Sequence, residues 1–296
     1  MTRVQANGML FMAAFLWGAG NVPQKTVLDD IGPLTAVGMR CLIAAFILAP
    51  FFAKFDLNPE KGKRTAAVLV IATFAVAVTL YQIASGLTTV TNAGFLVNIS
   101  IVITPLVGWL LLRERPNALV WPAAFLALTG AYFMGSGALL NMNVGDALAI
   151  AAAVTYSFWM VFLGQYVTRY NDGGRLTLAQ FAVTGSSCLV LGLLFEPVTI
   201  AALKSALPEL LFLGVVSTGL GYLLQAIAQA HATANEAAVI VSGEAIFGAI
   251  FAFMLLGETL DARGFLGASL ILSGICLIQF NPSYYNVTNR ERNFGD

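Results

Sequence analysis

The sequence predicts an all-α polytopic membrane protein of ten transmembrane helices, built as two inverted five-helix repeats. Three observations lead there. Of the 296 residues, 58% are hydrophobic and 10% charged, whereas soluble domains carry roughly 25% charged residues. The apolar residues fall into blocks close to the ~20 residues of helix that cross a ~30 Å hydrocarbon core. A shift of 144 residues lays one part of the chain on another: Ala93 falls on Ala237, Val97 on Val241, Leu111 and Leu112 on Leu255 and Leu256, Glu114 on Glu258, and Gly130 on Gly274.

The first span, 8–27, follows a short start with a single Arg. Such a start resembles a secretory signal, but the apolar run continues and nine more spans follow, so a retained span is expected. Trp17, Asn21 and Gln24 share one of its faces, and Pro23 lies near its end. The second span, 33–52, carries Arg40 within it; the third, 66–86, carries Tyr81 and Ser85. The fourth, 93–112, holds Asn98 and Pro105, and the fifth, 118–137, opens near Trp121. The sixth, 146–167, offers Thr155, Trp159 and Phe162 on one face, with Tyr156 adjacent; the seventh is 176–195. In the eighth, 209–230, Thr218, Tyr222, Gln225 and Gln229 form a stripe at helical spacing. The ninth, 236–256, contains Ser242 and Glu244, and the tenth is 264–280, where Gly264/Ala268 and Ser269/Ser273 offer small-residue faces for close helix packing. The halves are 1–137 and 138–280, with 281–296 as a tail.

Lys and Arg bias orients the chain. With the N-terminus in the cytoplasm, eleven basic residues fall on the cytoplasmic side and three (Lys25, Lys204 and Arg263) opposite, so both termini are expected in the cytoplasm. Five spans per half, an odd number, force the second half to enter from the opposite side. Inverted repeats of this kind occur in many transporters, with the substrate near the midplane where the repeats meet.

Polar residues at helical spacing mark faces that avoid lipid. They serve either to hold helices together by hydrogen bonds or to line a shared cavity. Their occurrence at matching places in both halves favours the cavity, with Trp17, Asn21, Tyr81, Asn98, Trp159, Tyr222, Gln225 and Ser242 as candidate substrate-binding residues. Trp109 and Trp121 lie near span ends, where an interfacial belt accounts for them. Arg40 and Glu244 are charges inside spans, so each needs a partner or a wet cavity. Glu244 is open to three roles: carrying a coupling proton, contacting a substrate amine, or a structural contact. Cys41, Cys188 and Cys276, an odd number without metal-ligand spacing, read as small buried apolar residues.

Nothing supplies catalytic chemistry. There is no HExxH, no GxSxG and no histidine besides His231, and Ser136 between Gly135 and Gly137 is a loop triplet. A nucleophile with its base, or a metal with its ligands, is therefore not expected; neither is a cofactor or a nucleic-acid partner. The expected partners are a small-molecule substrate and the lipid bilayer.

The chain resembles the drug/metabolite transporter superfamily, EamA type, over essentially its whole length. The residues that carry this are Leu16-Trp17-Gly18 after an Ala-rich run, Met39-Arg40-Cys41-Leu42-Ile43-Ala44-Ala45, and two spans ending in Leu-Leu-(x)-Glu at Glu114 and Glu258. Gly243-Glu244-Ala245-Ile246-Phe247 is similar to the family's Glu-Pro-hydrophobic stretch, with Ala245 where a proline is usual, which puts the expected bend in doubt. The resemblance implies a bacterial inner-membrane carrier that exports amino acids or other small metabolites. Its aromatic interior is similar to that of the YddG-type aromatic amino acid exporters. A flat cation would suit such a cavity almost as well, and a passive small-solute channel would also fit the polar stripes.

Overall fold

The structure, a computed structural model, describes residues 1–53, 62–113, 116–134, 142–256 and 262–279. Lys54, Lys61, Glu114, Arg115, Ser136, Glu258 and the tail from residue 280 lie outside the described residues. Among the described residues all regular structure is helical. In chain order the helices are α1 (Arg3–Thr26), α2 (Pro33–Phe52), α3 (Lys63–Leu87), α4 (Val90–Val97), α5 (Ser100–Leu112), α6 (Val120–Met134) and α7 (Val144–Tyr170). There follow α8 (Gly173–Phe195), α9 (Ile200–Ser205), α10 (Leu207–Phe212), α11 (Tyr222–Gln229), α12 (Ala234–Val241), α13 (Glu244–Leu256) and α14 (Ala262–Gln279). Among the described residues helix occupies each stretch where the sequence expects a span, and seven stretches are both long and apolar enough to cross a membrane. Val120–Met134 and Ala262–Ile278 are apolar but shorter. α1 has the length, but Arg3, Gln5, Asn7, Asn21, Gln24 and Lys25 dilute its hydropathy.

Side chains meet the unpaired N–H groups at the helix starts. Thr2 and Gln5 form a capping box on α1, Asn143 and Asp146 one on α7, and Thr233 and Glu236 one on α12. Pro33 opens α2, where its missing N–H costs nothing. The next two N–H groups, of Leu34 and Thr35, each donate to the Glu196 carboxylate at 2.8 Å, an anion placed at the positive end of a helix.

Two spans tighten midway, around Asn98 and Ser242, two residues 144 apart. Asn98 N–H reaches Phe95 O at 3.1 Å rather than Gly94 O, because the Asn98 side-chain amide already donates to Gly94 O at 2.9 Å. Gly243 N–H reaches Ile240 O at 3.2 Å rather than Val239 O, because the Ser242 hydroxyl donates to Val239 O at 2.6 Å. In each case a polar side chain takes the carbonyl that the next helical turn needs, and the ladder shortens to i→i−3 between α4 and α5 and between α12 and α13. The helical ladder just before Glu244 is therefore interrupted without a proline.

The span beginning at α10 departs the other way. Leu213–Gly221, which contains Gly214, Gly219 and Gly221, winds as a wide π-helical segment. Trp17 Nε1–H donates to Ser217 O at 3.0 Å, taking a carbonyl that an α-helix would offer to Gly221 N–H. An inserted side-chain donor is a recognised cause of such a defect.

The main packings join α3 to α7, α2 to α8, α6 to α14, and α1 to both α13 and the wide segment. The α6–α14 seam depends on glycine. A Cβ on Gly130 would strike Gly267 O at 2.5 Å and Ile271, and one on Gly274 would meet Ala123 O at 2.7 Å. The buried face of α14 is thus Gly264, Gly267, Ile271, Gly274, Ile275 and Ile278. Ser269 and Ser273, expected to pack between helices, are exposed and bond back to Phe265 O and Ser269 O.

Candidate functional site

Membrane helices gain no hydrophobic free energy from one another, so their contacts rest on close packing and hydrogen bonds. Where large aromatic side chains converge, backbones are held apart and a cavity forms. Here Tyr222, from the first turn of α11, is the hub. Its ring centroid lies 4.8 Å from Trp17, 4.9 Å from Phe74 and 5.4 Å from Trp159. Its hydroxyl meets that of Tyr156 at 3.0 Å, and Tyr156 in turn abuts Tyr81 and Trp159 edge-on. The buried Trp159 indole donates to Gln180 Oε1 at 3.3 Å. These geometries are the tilted and edge-to-face contacts that ring quadrupoles favour.

The cavity beside this cluster leaves about 60 Å³ open to the centres of water molecules. Trp17, Asn21, Tyr81, Asn98, Trp159 and Tyr222, six of the eight candidate binding residues, line it, together with Arg40 and Glu244. Gln24, Tyr156, Ser217 and Thr218 join them. Val97, Asn98 and Ser100 bring the first tightened turn to the wall, and Val241 and Glu244 bring the second.

Gln225 and Ser242 stand apart. Gln225 is wholly buried and donates to Gln229 Oε1, and Gln229 in turn reaches Met160 O at 3.1 Å, so this end of the stripe ties α11 to α7. Ser242 is spent on Val239 O. On α7 the cavity face is Tyr156, Trp159 and Met160. Thr155, expected on it, turns its hydroxyl onto Ala151 O, and Phe162 packs on Phe158. Phe74 and Phe181, fully buried in the aromatic cluster, carry no mark in the sequence that separates them from lipid-facing phenylalanines.

The two charges do not pair with each other: among the described residues no ion pair joins them. Arg40, 2% exposed, donates from Nη1 to Gln24 Oε1 at 2.8 Å, and its Nε has no partner. Gln24 is held by Ser85 Oγ, which accepts from its amide at 3.3 Å, and by Gln82, which donates to its backbone carbonyl at 3.0 Å. Glu244, at the start of α13, is hydrogen-bonded by Asn21. Thr218 Oγ1 is also buried without a partner. Trp109 and Trp121 face outward, as an interfacial belt requires. Among the described residues no group of three His, Cys, Asp or Glu could hold a metal ion.

Polar ties flank the cavity toward both ends of the helices. At one end Arg3 of α1 forms an ion pair with the buried Glu236 of α12, and Lys63 of α3 bonds Asp172 at 2.8 Å. At the other, Lys25 donates to Ser85 O at 2.7 Å and Thr88 O at 3.0 Å, while the Thr88 hydroxyl donates to Asp146 at 2.6 Å.

Comparison with known proteins adds a family. A model described as the EamA-like transporter family matches twice, over residues 5–136 and 143–280. An uncharacterized transporter of Archaeoglobus fulgidus is 25% identical over 93% of this chain and 86% of its own length. The uncharacterized transporter YwfM of Bacillus subtilis is 23% identical, covering 92% of this chain and 93% of its own. The uncharacterized inner membrane transporter YicL of Salmonella typhimurium is 24% identical, covering 93% and 95%. A solved crystal structure shares the fold at a TM-score of 0.77 and 17% identity, covering 92% of this chain and 96% of that one.

Proposed function

The chain belongs to the EamA-like transporter family, and from that premise we propose that it exports amino acids with aromatic or hydrophobic side chains across a bacterial inner membrane by alternating access. The observation that carries the reading is the cavity itself. It is aromatic-walled, holds one cation and one anion, and is built from helices of both halves at the level where two spans tighten. An apolar pocket with few, placed polar groups is the usual form of a small-molecule site. Short i→i−3 turns within long helices commonly mark hinges.

Alternating access also needs two superposable halves, and we take the chain as two inverted five-helix repeats, 1–137 and 138–280, with ten spans and both termini cytoplasmic. Support comes from the double match of one family model and from contacts that map onto themselves. Gly38 packs on Leu189 and Gly185 on Leu42; advancing Gly38 and Leu42 by 147 residues exchanges the two pairs. Gly130 packs on Gly267 and Gly274 on Ala123, and an advance of 144 exchanges those. Self-complementary contacts of this kind support a two-fold relation between the halves.

The test is counterflow in proteoliposomes loaded with unlabelled solute, with labelled amino acids and a flat cationic drug offered outside. Saturable counterflow of phenylalanine or tryptophan is expected. Flux without counterflow would make the protein a channel, and counterflow of the drug alone would replace the substrate.

A further inference from the structure

We propose that Arg40 and Glu244 are the two poles of a site for a zwitterion, Arg40 binding the α-carboxylate and Glu244 the α-ammonium of the transported amino acid, with the side chain against the aromatic wall. This rests on the cavity being the transport site and goes further by assigning its polar chemistry. A full charge placed in a membrane interior is costly unless paired or wetted, and the cheapest arrangement of one cation and one anion in one cavity is a direct ion pair. That arrangement is not taken. Each charge is instead held by a neutral amide, Gln24 on Arg40 and Asn21 on Glu244, which fixes position without neutralising charge. Gln24 is itself fixed by Ser85 and Gln82, and Arg40 is almost wholly buried with its Nε–H aimed at no protein acceptor. Tyr81 and Tyr222 line the same cavity as both charges.

A guanidinium with an idle N–H recognises a carboxylate. A carboxylate held by a single amide has lone pairs left for an ammonium. A cation alone would satisfy Glu244 and leave Arg40 buried and uncompensated, and an anion alone would do the reverse. Only a ligand carrying both charges close together completes both poles, and the unpartnered Thr218 hydroxyl on the same wall offers a further hydrogen bond.

The test titrates the detergent-purified full chain with phenylalanine, phenethylamine (no carboxylate) and 3-phenylpropanoate (no amine), read by intrinsic tryptophan fluorescence. Wild type is expected to bind phenylalanine at least about tenfold more tightly than either analogue, since one charge-assisted hydrogen bond accounts for that factor. Glu244→Gln should reverse the order in favour of 3-phenylpropanoate, and Arg40→Gln in favour of phenethylamine. Opposite switches are something a merely structural role cannot produce, and Glu244→Gln alone suffices if the arginine variant fails to fold. Wild type binding phenylalanine and an analogue equally, or both variants weakening all three ligands alike, overturns the assignment while leaving the transport reading intact. If wild type binds none of the three, the aromatic amino acid reading fails and the assignment falls with it.

Discussion

Trp17 shows how one side chain can shape both a helix and a pocket. Its indole N–H holds Ser217 O, and its ring stacks on Tyr222. Trp17→Phe keeps one aromatic ring but drops the hydrogen bond and the rest of the indole, so it should cost about 1–3 kcal/mol. Trp17→Ala opens a void and should cost about 3–5 kcal/mol. Thermal unfolding of the two variants in detergent separates these. Equal losses would mean that the carbonyl contact, rather than ring packing, dominates. At this scale the sequence distinguishes some residues and not others. Depth along a span separates Trp17 and Trp159, which line the cavity, from Trp109 and Trp121, which face outward. Helical spacing alone groups Gln225 with Tyr222, yet only Tyr222 reaches the cavity, while Gln225, one turn further on, is buried against Gln229. Phe74 is silent in the sequence, since a phenylalanine among apolar residues looks the same in lipid and in a core.

Among the elements, the tightened turns follow from local competition for a carbonyl and respond to local change. Asn98→Ala and Ser242→Ala free Gly94 O and Val239 O for regular helical bonding. Both should slow counterflow several-fold, while equilibrium binding of substrate shifts by no more than about twofold for the buried Ser242, as expected when a small interaction away from the ligand is removed. Unchanged counterflow in both would dissociate these turns from gating. The correspondence of residues at a shift of 144 is readable in the sequence, but the tightening near Asn98 and Ser242 is not, because it depends on where a side-chain donor lands. The glycine seam is a contrasting element, made for fixity. Gly130→Leu drives a side chain into the backbone of α14 and should destabilise by about 1–3 kcal/mol, read as loss of monodisperse protein on heating.

For the whole molecule, the ties at the two ends of the cavity oppose each other. Removing Arg3 from Glu236 should favour opening at that end, and removing Lys25 from the Ser85 and Thr88 carbonyls should favour opening at the other, since a two-state equilibrium moves by the differential stabilisation of its states. A cysteine at Val97, on the cavity wall, in a chain otherwise free of cysteine, reports this through its rate of labelling by an impermeant maleimide. In the proposed orientation, with the Arg3 end cytoplasmic, Arg3→Ala should raise the rate several-fold from the cytoplasmic side and Lys25→Ala from the opposite side; changes of the same sign on both sides would mean general loosening. The principal packings all join a helix before residue 137 to one after it: α2 to α8, α3 to α7, α6 to α14 and α1 to α13. During synthesis the early helices therefore leave the ribosome without their partners. At roughly 5–20 residues per second, Gly130 waits several seconds for Gly267, and Arg40, Gln24 and Tyr81 spend a comparable interval in the bilayer before the rest of their cavity exists. Insertion of this chain is thus a problem of holding polar faces in trust, and the membrane's insertion machinery, rather than the sequence alone, must shelter them until the second half arrives.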